Sequence, residues 1–513
     1  MPTISDNNSI SSENSSLKNS KYKQFFDYIW PIHQFELPKF LFITLLMFCI
    51  LGIQNLIRAM KDSVINTMIG PETISFLKFW GVLPAAFLVT IIYVKLVNVM
   101  KGENIFYLIM SIFLGFFILF AFYLYPNYET FHLSTDTANG LITRFPNFKW
   151  FILLLSNWSF SLFYIIAELW PNAIFALLFW QFVNKVTTVD ESKRFYPLFS
   201  LLGQTGLYLS GTFLINLPFI SDYFANLYSI TDDINVISIK VVISVVLCLG
   251  VIALGSFWLL NHKILDLAAT ENLQFKVKKN QMNLKESIKM ICSSRYIRLI
   301  TILLFCYGLA INLVEGPWKA EATKIYKTPI EFAAFVGNYL SYTGILTILF
   351  VLLGSNIVRK LGWLSAAVIT PFMVLISGLG FFIVANFDYV ATFMMLYFSF
   401  TDPIMFALVM GAIQNILSKS SKYTLFDSTK EMSYVPLDEQ IKTKGKAAAD
   451  MIGTKLGKST SALLQSMIFI IIPSATFSSI SIYLMIAFVI ICFVWLWTVF
   501  ELNKEYIAAC NKQ

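Results

Sequence analysis

Apolar stretches alternate with short polar or charged segments from residue 38 to residue 500. They lie near 38–61, 74–99, 104–125, 149–185, 193–216, 237–260, 296–316, 333–353, 363–384, 390–418, 448–472 and 480–500. Most match the ~20 residues that a helix needs to cross a bilayer, and a helix satisfies its own backbone polar groups in lipid. The pattern predicts an all-α integral membrane protein with twelve transmembrane helices. Glu168 and Pro171 interrupt the stretch 149–185. A hairpin there would invert every later connection, so one long, kinked helix is expected. Residues 1–37 are polar, Ser/Asn-rich and then basic. The apolar run after them is too long for a removable signal peptide and lacks a small-residue cleavage site, so they are read as a retained tail.

Composition agrees with a membrane protein. Of the 513 residues 57% are hydrophobic and 13% charged, with a mean hydropathy of +0.68, against about 25% charged residues in soluble domains. The net charge of +8 is not a nucleic-acid footprint, because the basic residues sit in the connections between apolar runs. Placing those connections inside puts Lys193, Arg194, the segment 261–295, Arg359, Lys360 and the Lys-rich segment 419–446 on one face. Asp222, Asp232, Asp233 and Asp388 then dominate the other face, and both termini are cytoplasmic. Lys319, Lys324 and Lys327 are left outside, against the rule, which points to an electropositive approach for an anion.

The two halves of the chain repeat. Asn55-Leu56-Ile57 matches Asn312-Leu313-Val314, the connection Val97 to Gly102 matches Ile357 to Gly362, and Lys193 to Gly206 matches Lys444 to Gly457. The expected layout is a cytoplasmic tail (1–37), a six-helix half (38–260), a basic linker (261–295) and a second six-helix half with a short tail (296–513). Parallel six-helix repeats are the arrangement of major-facilitator-like carriers.

Charge inside the apolar runs marks the candidate site. A charged side chain at the centre of a membrane helix costs roughly 2.5–3.5 kcal/mol on insertion scales, so such residues face polar cavities. Arg58 and Lys61 end the first run, Glu315 and Lys319 end the matching run, and Glu168 sits at mid-membrane. Glu168 reads either as a carboxyl that ties helices together or as a cavity carboxylate paired with a lysine when no substrate is bound. Asp402, in Phe400-Thr401-Asp402-Pro403, has the same two readings in the tenth span. Lys444 and Lys446 precede the eleventh span. Each basic residue alone is a solvated helix end, whereas their recurrence at matched places in both halves fits a polyanion passing between the halves. Arg58 and Glu315, opposite in sign, are expected to pair in the empty protein. Gly453-Thr454-Lys455-Leu456-Gly457-Lys458-Ser459 is one residue short of a phosphate-binding loop and follows no strand, which excludes ATP hydrolysis there. Its lysines at a helix mouth suit either phosphate or lipid headgroups. The six Cys are scattered and His33, His132 and His262 lie far apart, so no metal or cofactor is expected. Nothing resembles a catalytic set.

Ile57-Arg58-Ala59-Met60-Lys61-Asp62, Ile74-Ser75-Phe76-Leu77-Lys78, Ala167-Glu168-Leu169-Trp170, Asn312-Leu313-Val314-Glu315, Lys422 to Asp427, Tyr434 to Asp438 and Lys444-Gly445-Lys446 resemble signatures of the ATP/ADP translocases of obligate intracellular bacteria and plastids. The resemblance covers residues 30–506. It implies counter-exchange of nucleoside tri- and diphosphates across the bacterial inner membrane, with Lys61, Glu168, Glu315 and one lysine of the Lys444/Lys446 pair needed for transport. The protein is then a monomeric antiporter rather than an enzyme. Gly316-Pro317, Asp402-Pro403 and Pro171 depart from the resembled pattern and leave the nucleobase open between adenine and guanine or a pyrimidine. A membrane enzyme or receptor, or a facilitator for sugars or drugs, are the readings that remain outside nucleotide exchange.

Overall fold

The structure is a computed structural model that describes residues 32–229, 231–264, 284–398 and 402–511. Most of the expected tail and much of the linker lie outside these residues. Every regular element among them is a helix. Among the described residues ten helices are long and apolar enough to cross a membrane. In chain order we label α1 (Leu37–Met68), α2 (Thr73–Val99), α3 (Gly102–Leu124), α4 (Trp158–Val186), α5 (Val189–Ile215), α6 (Ile234–Ile264), α7 (Arg295–Ile325), α8 (Pro329–Val351), α9 (Arg359–Asn386), α10 (Pro403–Ser433), α11 (439–471) and α12 (Phe477–Cys510). The ten apolar helices are these without α5 and α11, which occupy the fifth and eleventh expected places.

Local chemistry sets the ends of these helices. Thr188 and Thr328 each accept from the backbone N–H three residues on, and Glu191 and Glu331 accept back from Thr188 and Thr328, so capping boxes start α5 and α8. A turn at Gly362, with φ +80°, bends the chain near the start of the α9 run. Where one long, kinked helix was expected over 149–185, the chain breaks at Asn157, and α4 runs from Trp158–Trp170 through a wide-turned π segment, Pro171–Phe179, into Trp180–Val186. Pro171 has no N–H for the regular ladder, and the widened turn absorbs the defect. Residues 149–156 form a separate short helix that ends at Asn157.

α1 packs against α4, α5 and α6, and α7 against α10, α11 and α12. Two glycines allow the closest crossing. A Cβ on Gly211 of α5 would lie 2.3 Å from Ser341 Oγ and 2.7 Å from the Gly337 carbonyl of α8. Backbones therefore touch where the helices before residue 265 meet those after 283. A second seam joins α2 to α11, where Ser75 hydrogen-bonds Gln465 at 2.8 Å and Phe76 stacks on Phe469. At the same end the Phe477 N–H donates to Glu72 and the Ile330 N–H to Asn235. At the opposite end Arg194 of α5 holds Glu36 through two 2.6 Å hydrogen bonds, and this keeps the Glu36 carboxyl below its usual pKa range.

Candidate functional site

Between the two groups of helices lies a cavity of about 930 Å³, within the ~300–1,000 Å³ of small-molecule sites. It begins at the buried Asp62 and Lys319 and reaches the exposed Thr454, Lys455 and Glu431. It is therefore closed at the Glu72 end and open at the Glu36 end. Each wall follows from helices that run past their apolar stretches. α1 extends to Met68, seven residues beyond the expected span, and α7 to Ile325, nine beyond. Their second halves carry the charge inward.

Five ionic contacts close the narrow end. Lys61 reaches Asp62 at 2.8 Å and Glu168 at 2.9 Å, with its ammonium 3.9 Å from the Tyr164 ring centre. Lys319 bridges Asp62 and Glu315, both at 2.9 Å, and Lys78 reaches Glu315 at 3.0 Å and Asn312 at 2.7 Å. The Asp62–Lys319 and Lys78–Glu315 pairs cross from one group to the other. Burial alone would make these ions expensive, and mutual pairing offsets it.

The open part is different. Lys422 pairs with Asp427 at 3.1 Å, and Lys430 with Glu431 at 2.8 Å and Asp450 at 3.6 Å. Arg58, Lys419, Lys455 and Lys458 line the cavity with no carboxylate partner among the described residues. Lys419 instead lies 4.6 Å from the Tyr339 ring centre. The lining holds nine cationic side chains against six carboxylates, an excess of three positive charges. Such a surplus in a low-dielectric cleft favours a multiply charged anion.

A family model described as the TLC ATP/ADP transporter matches residues 15–506. The chain belongs to that family. Within the ATP/ADP transporter family it is similar to "ADP,ATP carrier protein 4" of Rickettsia felis, 66% identical over 97% of this chain and 98% of that one. The protein of the same description in Rickettsia bellii is 65% identical, with 98% of each chain covered. Among solved structures, a bacterial homologue of the iron transporter ferroportin superposes with a TM-score of 0.56 at 12% identity, over 92% of this chain and 99% of that one. At that identity the likeness shows a shared carrier fold and nothing of the cargo.

The structure brings Arg58, Lys61, Glu168, Glu315 and Lys319 into one cavity. Other expectations need correction. Arg58 does not pair with Glu315, whose two oxygens are held by Lys319 and Lys78. Asp402 does not line the cavity: it caps α10 from an exposed position, accepting from the Ile404 N–H at 2.9 Å, with Pro403 at the first helical position. Lys446 lies at the margin, bonded to Glu431 at 2.5 Å, and the side chain of Lys444 lies outside the described residues. The Gly453 segment has no free helix amides, because residues 439–471 run on through a π turn at Asp450–Thr454. Its Lys455 and Lys458 nevertheless line the cavity. The first part of the segment 419–446, read as an inner connection, is cavity wall as far as Glu431, since α10 continues to Ser433. Sequence reasoning also passed over Lys78, Lys419, Lys422 and Asp62 as site residues. Lys78, Lys422 and Asp62 stand inside the family signatures, which was the available signal.

Proposed function

We propose that this protein exchanges ATP for ADP across the bacterial inner membrane by alternating access, with both termini in the cytoplasm. The reading rests above all on the cavity between the helix groups, whose surplus cations include Arg58, Lys419, Lys455 and Lys458 without carboxylate partners. It is the activity named by its relatives, and a carrier rather than an enzyme fits the family. Residues 38–260 and 296–513 act as two halves. One chain supplies both walls, so a monomer in the bilayer suffices.

The phosphates of an arriving nucleotide first meet the unpaired cations. They then compete with Asp62, Glu168 and Glu315 for Lys61, Lys78 and Lys319. Losing the Asp62–Lys319 and Lys78–Glu315 contacts frees the halves to part at the Glu72 end and close at the other. An empty cavity keeps those contacts, so return without cargo is slow and transport is exchange. Which nucleobase is preferred follows from other residues, because Asp402 supplies no acceptor in the cavity.

The test is uptake of labelled ATP by bacterial cells expressing the protein, with each unlabelled nucleotide as competitor. ADP and ATP are expected to compete best, and Lys61→Ala and Glu315→Ala to lose uptake while still inserting. Retained exchange in both variants, or no flux of any nucleotide, would overturn the proposal.

A further inference from the structure

The cavity is chemically two-sided below its closed end. On α2, Lys78 is followed by Val82, Leu83 and Ala86, and on α4, Glu168 is followed by Asn172 and Trp180, all lining residues. Both helices run from the closed end toward the open one, at ~1.5 Å per residue. The α2–α4 wall thus changes from charged to uncharged on the way down. Facing it, α10 and α11 carry Lys419, Lys422, Lys455 and Lys458. Apart from Arg58 of α1, the lining charge of the open part belongs to the second half.

Asn172 stands out on the uncharged wall. It is exposed to the cavity from the widened turn at Pro171, and neither of its amide atoms has a hydrogen-bond partner among the described residues. The other lining amides are engaged: Asn312 accepts from Lys78 and donates to the Gly308 carbonyl, and Asn415 donates to the Gly411 carbonyl. An uncommitted amide on the wall that also carries Val82, Leu83, Ala86 and the Trp180 indole offers one donor and one acceptor on a largely apolar surface. Adenine presents the complement, an exocyclic amine beside a ring nitrogen.

Resting on the exchange reading above, we infer that the nucleotide lies across the cavity, its base on the α2–α4 wall with Asn172 reading the edge, its polyphosphate on the α10–α11 lysines. Asn172 is then a specificity residue, and the lysines bind any polyphosphate.

Inorganic tripolyphosphate separates the two roles, because it has no base. Labelled ATP uptake is measured in membranes from cells expressing the protein, with ATP or tripolyphosphate as competitor and surface-normalised protein levels. Asn172→Ala is expected to weaken competition by ATP about tenfold and leave the tripolyphosphate constant unchanged, whereas Lys458→Ala weakens both. Asn172→Asp, which replaces the donor by a second acceptor, is expected to shift preference from ATP toward GTP by a similar factor, since guanine offers two adjacent donors. If Asn172→Asp fails to insert, the competition constants of Asn172→Ala and Asn172→Ser decide alone. Equal weakening of ATP and tripolyphosphate by the alanine variant, or an unchanged ATP to GTP preference in an inserted aspartate variant, overturns this inference alone. No nucleotide uptake by the unsubstituted protein overturns the exchange reading and this one with it.

Discussion

Asp62 is 2% exposed and holds two lysines, its neighbour Lys61 and Lys319 from the other half. Removing one partner of a buried pair leaves an uncompensated charge, at about 3–5 kcal/mol. Lys319→Met is therefore expected to lower the thermal midpoint in detergent sharply. Adding Asp62→Asn should recover most of the stability without recovering exchange, and a double-mutant cycle on both readouts checks this. The site residues legible in the sequence were those whose charge interrupts or ends an apolar run: Arg58, Lys61, Glu168, Glu315 and Lys319. Lys419 and Lys458 were less visible, because a lysine just past an apolar run looks like a solvated helix end until a facing helix encloses it. Asp402 misled for the converse reason. Apolar neighbours on both sides placed it in mid-helix, whereas an Asp-Pro pair begins a helix.

The α5–α8 crossing is the element on which both halves meet backbone to backbone. Gly211→Ala puts a methyl 2.6 Å from the Ser341 backbone nitrogen, which no side-chain adjustment relieves. It is expected to cost about 1–3 kcal/mol and to slow exchange, while Gly115→Ala, with nothing within 4 Å of its Cβ, stays within about 0.5 kcal/mol. Thermal unfolding and initial uptake rates compare the two. At the open end, Arg194 ties the start of α1 to α5 through Glu36. A carboxyl whose folded pKa lies below its ordinary 4.5 contributes stability above that value and loses it as pH falls through the folded pKa. Wild type should accordingly exceed Glu36→Gln in thermal midpoint at pH 7, and the gap should close below about pH 4.5. Helix ends were the least legible elements. Hydropathy stops where water-lined wall begins, so α1, α7 and α10 were each read short, and a charged wall was read as a connection.

For the whole molecule, the fold class was legible early, because bilayer thickness sets the length of the apolar runs. Gly206 packs on α1 at Phe48, and Gly457 on α7 at Phe305, so the matched glycines meet matched helices. What one sequence did not show was how the charges pair across the halves, a property of three-dimensional neighbours. The ionic contacts at the Glu72 end predict strict exchange. Vesicles preloaded with ADP should release it at least tenfold faster when ATP is outside than when buffer is, by filtration of labelled ADP; equal rates would mean the empty carrier turns freely. The charge surplus of the cavity has a further effect on that empty carrier. If its three excess cations cross the membrane field, each carries about 2.3 kcal/mol of electrical work per 100 mV, or about 7 kcal/mol together. One direction of the empty return then runs against the membrane voltage, and cargo that neutralises the cations removes most of that work. The membrane potential itself thus acts as a ratchet on the unloaded protein, visible as transient charge movement without nucleotide and its suppression when nucleotide is added.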